Sequence, residues 1–196
     1  TSSWTDPNGH NRLTTLDITR SNITFLGKGK DTTTILGGFG IDNVENITFK
    51  NMTVTNTSQY DIRMINAKVE LFNVALKGCG HAGLFLQISR SENSLVATRC
   101  EFANSTWGAR VEGSLTSATF NNCVFIENAI GIYGYESKLH LHGEATAIHS
   151  NVKFGIFAGH LGKVIIHLPS HHNTTYNNGG QDRKTFNGGT ITNVED

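Results

Sequence analysis

Glycines recur at positions 83, 108, 131 and 155, in steps of 25, 23 and 24 residues. Each opens a triplet in which a large arginine or aromatic residue stands between two smaller apolar ones: Leu84-Phe85-Leu86, Ala109-Arg110-Val111, Ile132-Tyr133-Gly134 and Ile156-Phe157-Ala158. Asp61 takes the glycine's place before Ile62-Arg63-Met64. A second apolar pair follows each time (Ile47/Phe49, Val69/Leu71, Leu95/Ala97, Ala118/Phe120, Leu139/Leu141, Val164/Ile166). A third comes after it (Met52/Val54, Val74/Leu76, Cys100/Phe102, Cys123/Phe125). Alternation with a period of two marks strands that bury one face. Self-similarity over two dozen residues marks a solenoid, propeller or array.

The repeating unit holds three short strands and no helical stretch. Successive units therefore stack in parallel, strand over strand, at roughly 4.8 Å per rung. Apolar positions then form ladders up a shared interior, because no unit can bury its face alone. Composition agrees. Charged residues are 16% of the chain, too few for the solvated faces of long helices. Asn51, Asn73 and Asn122 recur just before the third strand, with Arg99 as the exception. Asn tolerates left-handed backbone and makes turn hydrogen bonds, so these are the bends. The recurrent glycines are expected to supply positive φ at the next bend. Cys100 and Cys123 fall on equivalent positions, which predicts buried, reduced thiols; Cys79 leaves an odd number and no metal spacing.

The pattern resembles the right-handed parallel β-helix repeat of pectate-lyase-like folds and viral tailspikes. "NITFLGKGKDTTTILGG" is similar to the opening turn of many such proteins. The closing "KVIIHLPSHHNTTYNNGG" and "DRKTFNGGTITNV" resemble the last turns of β-helix proteins from algae and large DNA viruses. The expected fold is all-β, a single-stranded right-handed β-helix of about seven rungs with three short strands per rung. Residues 1–11 are read as an N-terminal extension or cap, 12–180 as the β-helix and 181–196 as a C-terminal partial turn or cap. The start without Met reads as a piece of a longer polypeptide.

Function is less legible, because this architecture carries lyases, hydrolases, epimerases, adhesins and inert scaffolds alike. The leading expectation is a non-catalytic module, a rigid scaffold or a binding surface for carbohydrate or protein. Arg63, Phe85, Arg110, Tyr133 and Phe157 share one outward position and form the candidate ligand face, since rings stack on sugars and Arg holds hydroxyls and carboxylates. The bland alternative is cation–π packing along the ladder. The residues before the glycines (Tyr60, Trp107, Ile130, Phe154) add bulk at its edge. The alternative expectation is an enzyme acting on acidic polysaccharides through Arg110, Glu112, Tyr135, Glu136 and His160. The Asp residues are few and scattered, and no hydrolase signature such as "NTD" or "RIK" occurs.

His140 and His142 share a strand face, with His167 level with His142 one rung on and His171 and His172 following. They are expected to be solvated imidazoles, so no metal and no cofactor is assigned. Six Asn-x-Ser/Thr sequons, at Asn22, Asn46, Asn51, Asn56, Asn104 and Asn173, read mostly as by-products of turn chemistry. Zero net charge argues against a nucleic-acid partner, and no apolar run is long enough for a membrane span. Homo-oligomerisation through an end or face is compatible with open solenoid rungs. An extracellular or virion-associated setting is favoured.

Overall fold

The structure, a computed structural model, describes residues 3–5, 11–13, 15–168 and 174–195. All regular structure among them is β. Eight parallel strands make the first sheet, from Thr15–Ile18 at one end to Gln181–Phe186 at the other. The second and third strands of each rung make a further parallel assembly running from Ile23–Leu26 to Thr190–Glu195. Seven rungs are complete, and Gln181–Phe186 with Thr190–Glu195 begins an eighth. The column so built is roughly 35 Å long. An antiparallel pair, Ser3–Thr5 with Asn11–Leu13, precedes it. His171, His172 and the Asn173 sequon lie outside the described residues.

The pairing follows the repeat residue for residue. Ile62, Leu84, Ala109, Ile132 and Ile156 stand one above another in the first sheet. Val69, Leu95, Ala118, Leu139, Val164 and Ile191 do so in the second. These side chains are buried, apart from the half-buried Ile191 of the last strand. Burying a Leu or Ile side chain contributes about 1.5–3 kcal/mol, so one column supports all rungs together. Larger rings fill its wider parts. Phe102 and Phe125 stack at 4.5 Å between centroids, with Phe120 edge-on to both. Cys100 and Cys123 lie level, one rung apart, buried and unoxidised. The first-sheet column changes character at the top, where Ile156 pairs with Arg183, whose guanidinium bonds Thr175 and Asn193.

In four rungs the bend between the second and third strands turns on a single left-handed residue. Asn51, Asn73, Arg99 and Asn122 all have φ between 52° and 56°, so Arg99 adopts the turn conformation that Asn favours. In two rungs the bend does not interrupt the strand: Ile47–Thr55 and Lys68–Lys77 run straight through Asn51 and Asn73. Outer Asn side chains bond amide to amide up the rod, Asn73 to Asn51 at 2.9 Å and Asn66 to Asn43 at 2.7 Å.

The recurrent glycines act differently from the expectation. Gly83, Gly108, Gly131 and Gly155 are absent from the residues with positive φ. At 108, 131 and 155 glycine is required for space, and at 83 the room is merely tight. A Cβ on Gly131 would sit 2.6 Å from the Gly155 carbonyl oxygen and 3.0 Å from Asn151 Nδ2. Beside them runs an inner amide ladder of Asn128, Asn151 and Asn178. Asn151 Oδ1 accepts the Asn128 backbone N–H at 3.0 Å, and Asn178 Oδ1 accepts that of Asn151 at 3.1 Å. Their Nδ2 groups donate to inner carbonyls, Phe102 from Asn128 and Phe125 from Asn151. A side chain at the glycine would collide with this ladder, and the buried amides would lose their partners.

Candidate functional site: an aromatic and arginine face, and a histidine cluster

The register brings the five predicted face residues into one line. Arg63 pairs with Phe85, Phe85 with Arg110, Arg110 with Tyr133 and Tyr133 with Phe157. The line continues to Lys184. The side chains are engaged with one another. The Arg110 guanidinium lies 5.0 Å from the Phe85 ring centroid, 4.9 Å from Trp107 and 5.9 Å from Tyr133. It also holds Glu112 Oε1 through Nη2 at 2.7 Å and Nε at 2.8 Å. Arg63 donates to Asp42 at 3.0 Å and to Gln87 at 3.2 Å. Phe85, nominally an outward residue, is only 7% exposed.

The rings stack along the rod axis: Tyr60 on Phe85 at 4.9 Å, and Tyr133 on Phe157 at 5.4 Å with planes 12° apart. Rings stacked this way cover their own faces and turn their edges to solvent. Burial, then the Glu112 carboxylate, raises the Tyr133 pKa, so its hydroxyl stays neutral. Of the alternative catalytic set, Glu112 pairs in register with Tyr135, whose ring meets His160 at 4.5 Å. His160 Nδ1 accepts from Asn187 at 2.9 Å. Glu136 is exposed at the bend one rung above Glu112, in left-handed backbone. Two depressions of the described surface lie away from Arg110 and Glu112, one lined by Thr48, Glu70 and Val96, the other by Asp17, Gly40 and Asp42, the partner of Arg63.

Sequence reasoning passed over His81, which the fold places between Tyr60 at 4.9 Å and Trp107 at 4.8 Å. Burial and the Arg110 charge lower its pKa. Its only signal in the sequence is its place two residues before Gly83. In the sequence pattern Asp61 stands only as a glycine substitute. Its Oδ1 accepts the Asn56 backbone N–H at 2.6 Å, while Oδ2 is buried with no hydrogen-bond partner among the described residues. Burial raises its pKa to about 8. Of the sequons, Asn56 is fully buried, and Asn22, Asn46 and Asn51 engage neighbouring amides; Asn104 is exposed.

On the second sheet His140, His142 and His167 converge. His140 Nδ1 lies 2.8 Å from His167 Nε2, and the His142 and His167 rings stack at 3.8 Å.

Parallel sheets coiled about one apolar column, rung stacked on rung in register, define a parallel β-solenoid. The chain belongs to the right-handed β-helix family: the family model described as "Right handed beta helix region" matches residues 37–195. No curated protein and no solved structure matches the chain. Among the described residues, no helix is long and apolar enough to cross a membrane.

Proposed function

We propose that the chain is a non-catalytic β-helix module, a rigid scaffold whose first-sheet face is a cohesive element of the rod. One observation carries this reading: the side chains of that face are committed to each other. Arg110 is held by three rings and Glu112, Arg63 by Asp42 and Gln87, and ring faces are covered by neighbouring rings. A catalytic acid or base needs a proton path to substrate, and a sugar-stacking ring needs an open face. The end segment 181–195 fits a closing turn, since the column it continues changes there from Ile156 to Arg183. An extracellular or virion-borne setting would suit such a rod.

A second reading takes the late rungs as a face that binds or cleaves acidic glycans. Exposed Glu136 one rung above Glu112, beside the Tyr135–His160 pair, favours it. One experiment separates the two. The protein is incubated with alginate and pectate while unsaturated product is followed in the ultraviolet, and is also applied to a glycan array. The scaffold reading expects neither product nor retained glycan, and a lowered thermal midpoint for Arg110→Ala. Product or binding that Arg110→Ala abolishes with the midpoint unchanged overturns it.

A further inference from the structure

Three imidazoles meet on the outer face of the second sheet, away from the aromatic stripe. His140 and His142 project from one face of strand Lys138–His142, and His167 from the next strand, Lys163–Leu168. Leu141 pairs with Ile166, which sets His142 level with His167. One nitrogen from each ring lies within 4.8 Å of the other two. The nitrogens around a tetrahedral Zn²⁺ are separated by roughly 3.4 Å, as Zn–N bonds of about 2.1 Å require. The separations therefore differ from the ideal by under about 1.5 Å, which side-chain rotation has to supply on a backbone that the parallel ladder holds in register. All three side chains are half-buried, so they start with part of their rotamer entropy already lost.

We propose that His140, His142 and His167 form a three-imidazole binding site for a divalent transition metal ion, bridging two consecutive rungs. The donor set is all nitrogen, which suits Zn²⁺, Ni²⁺ or Cu²⁺ and gives no purchase to Ca²⁺ or Mg²⁺. A three-ligand site leaves one coordination position for water or an outside group. The imidazoles must be neutral to ligate. The bridging geometry makes the ion a staple: it joins strands 25 residues apart in sequence (138 to 163), so it binds the folded rod far better than the unfolded chain.

The test uses protein carrying no polyhistidine tag, titrated with Co²⁺ and with Zn²⁺ at pH 7.5. The expected result is one equivalent of Co²⁺ giving visible d–d bands, displaced by Zn²⁺. The thermal midpoint should rise by roughly 5–10 °C at a hundredfold excess over Kd. Ca²⁺ and Mg²⁺ should change neither. His142→Gln and His167→Gln should each weaken binding at least tenfold, while His149→Gln, on a neighbouring strand, should not. Absence of stoichiometric binding by the unaltered protein overturns the proposal, as does full retention of binding in His167→Gln. Should a variant misfold, the unaltered protein's Co²⁺ spectrum decides alone: bands of oxygen-only octahedral Co²⁺ count against the site.

Discussion

Asp61 and Asp182 occupy the same place in their rungs, the place that glycine holds at 83, 108, 131 and 155, and each binds an inward-facing Asn. Asp61 Oδ1 accepts the Asn56 N–H at 2.6 Å, and Asp182 Oδ1 accepts the Asn178 N–H at 3.2 Å and its Nδ2 at 2.7 Å. The carboxylates thus meet the amide ladder where a glycine would leave it open. The two differ in burial. Asp61 is fully buried, Asp182 half-buried.

That difference predicts a pH dependence. Asp61 ionises near 3.8 when exposed and near 8 in the folded chain, because burial disfavours its anion. Between those values the folded state holds a proton that the unfolded state has lost. Its contribution to stability is therefore fully present below about pH 4, falls as pH rises, and levels off above about pH 8. Asp61→Asn keeps the accepting oxygen and removes the titration. Denaturant melts should show the variant more stable than the parent at pH 8, by on the order of 2 kcal/mol, and much closer to it at pH 4.

Gly131→Ala should destabilise by about 1–3 kcal/mol, since the new methyl meets a fixed backbone carbonyl and the buried Asn151 amide. Gly83→Ala meets nothing closer than the Gly108 carbonyl at 3.1 Å and should cost less. Equal losses from the two, measured by urea unfolding, would refute the steric explanation.

Arg110 and Glu112 are 25% and 17% exposed, so their pairing is worth more than a surface ion pair. Removing Arg110 leaves Glu112 partly desolvated and takes a cation from three rings. Arg110→Ala should cost about 2–3 kcal/mol. Glu112→Gln should cost less, and a double-mutant cycle should give a coupling of about 1 kcal/mol.

The thiols should be inert while the chain is folded. Burial, then the Asp61 charge, pushes Cys79 up to about 12, and burial with the adjacent Cys100 raises Cys123. Burial opposes ionisation of Cys100 too, but the Cys123 thiol and backbone groups that hydrogen-bond it lower its pKa, so its protection rests on being out of reach at 2% exposure. The thiolate is the reactive form. A thiol-specific disulfide reagent at pH 7.5 should label none of the three cysteines within minutes, and all of them once denaturant is added.

The sequence by itself determined the solenoid. Strand alternation and a constant repeat length are local, additive signals, and stacking turns each repeated position into a ladder. Hence Cys100 over Cys123, and the line from Arg63 through Phe85, Arg110 and Tyr133 to Phe157, could be read directly from residue numbers. Only the tertiary structure decided what those side chains do. The same glycine letter could mean positive φ or lack of room, and only the Asn151 amide beside Gly131 selects the second. The same Arg110 could stand free on the surface or engage its neighbours, and the structure shows it bonded to Glu112 and lying over the flanking rings. Three histidines in two strands become a convergent group only when χ angles and rung height are fixed together. Position along a repeat is a one-dimensional quantity that pattern encodes. Distance, burial and partner choice arise from packing across rungs.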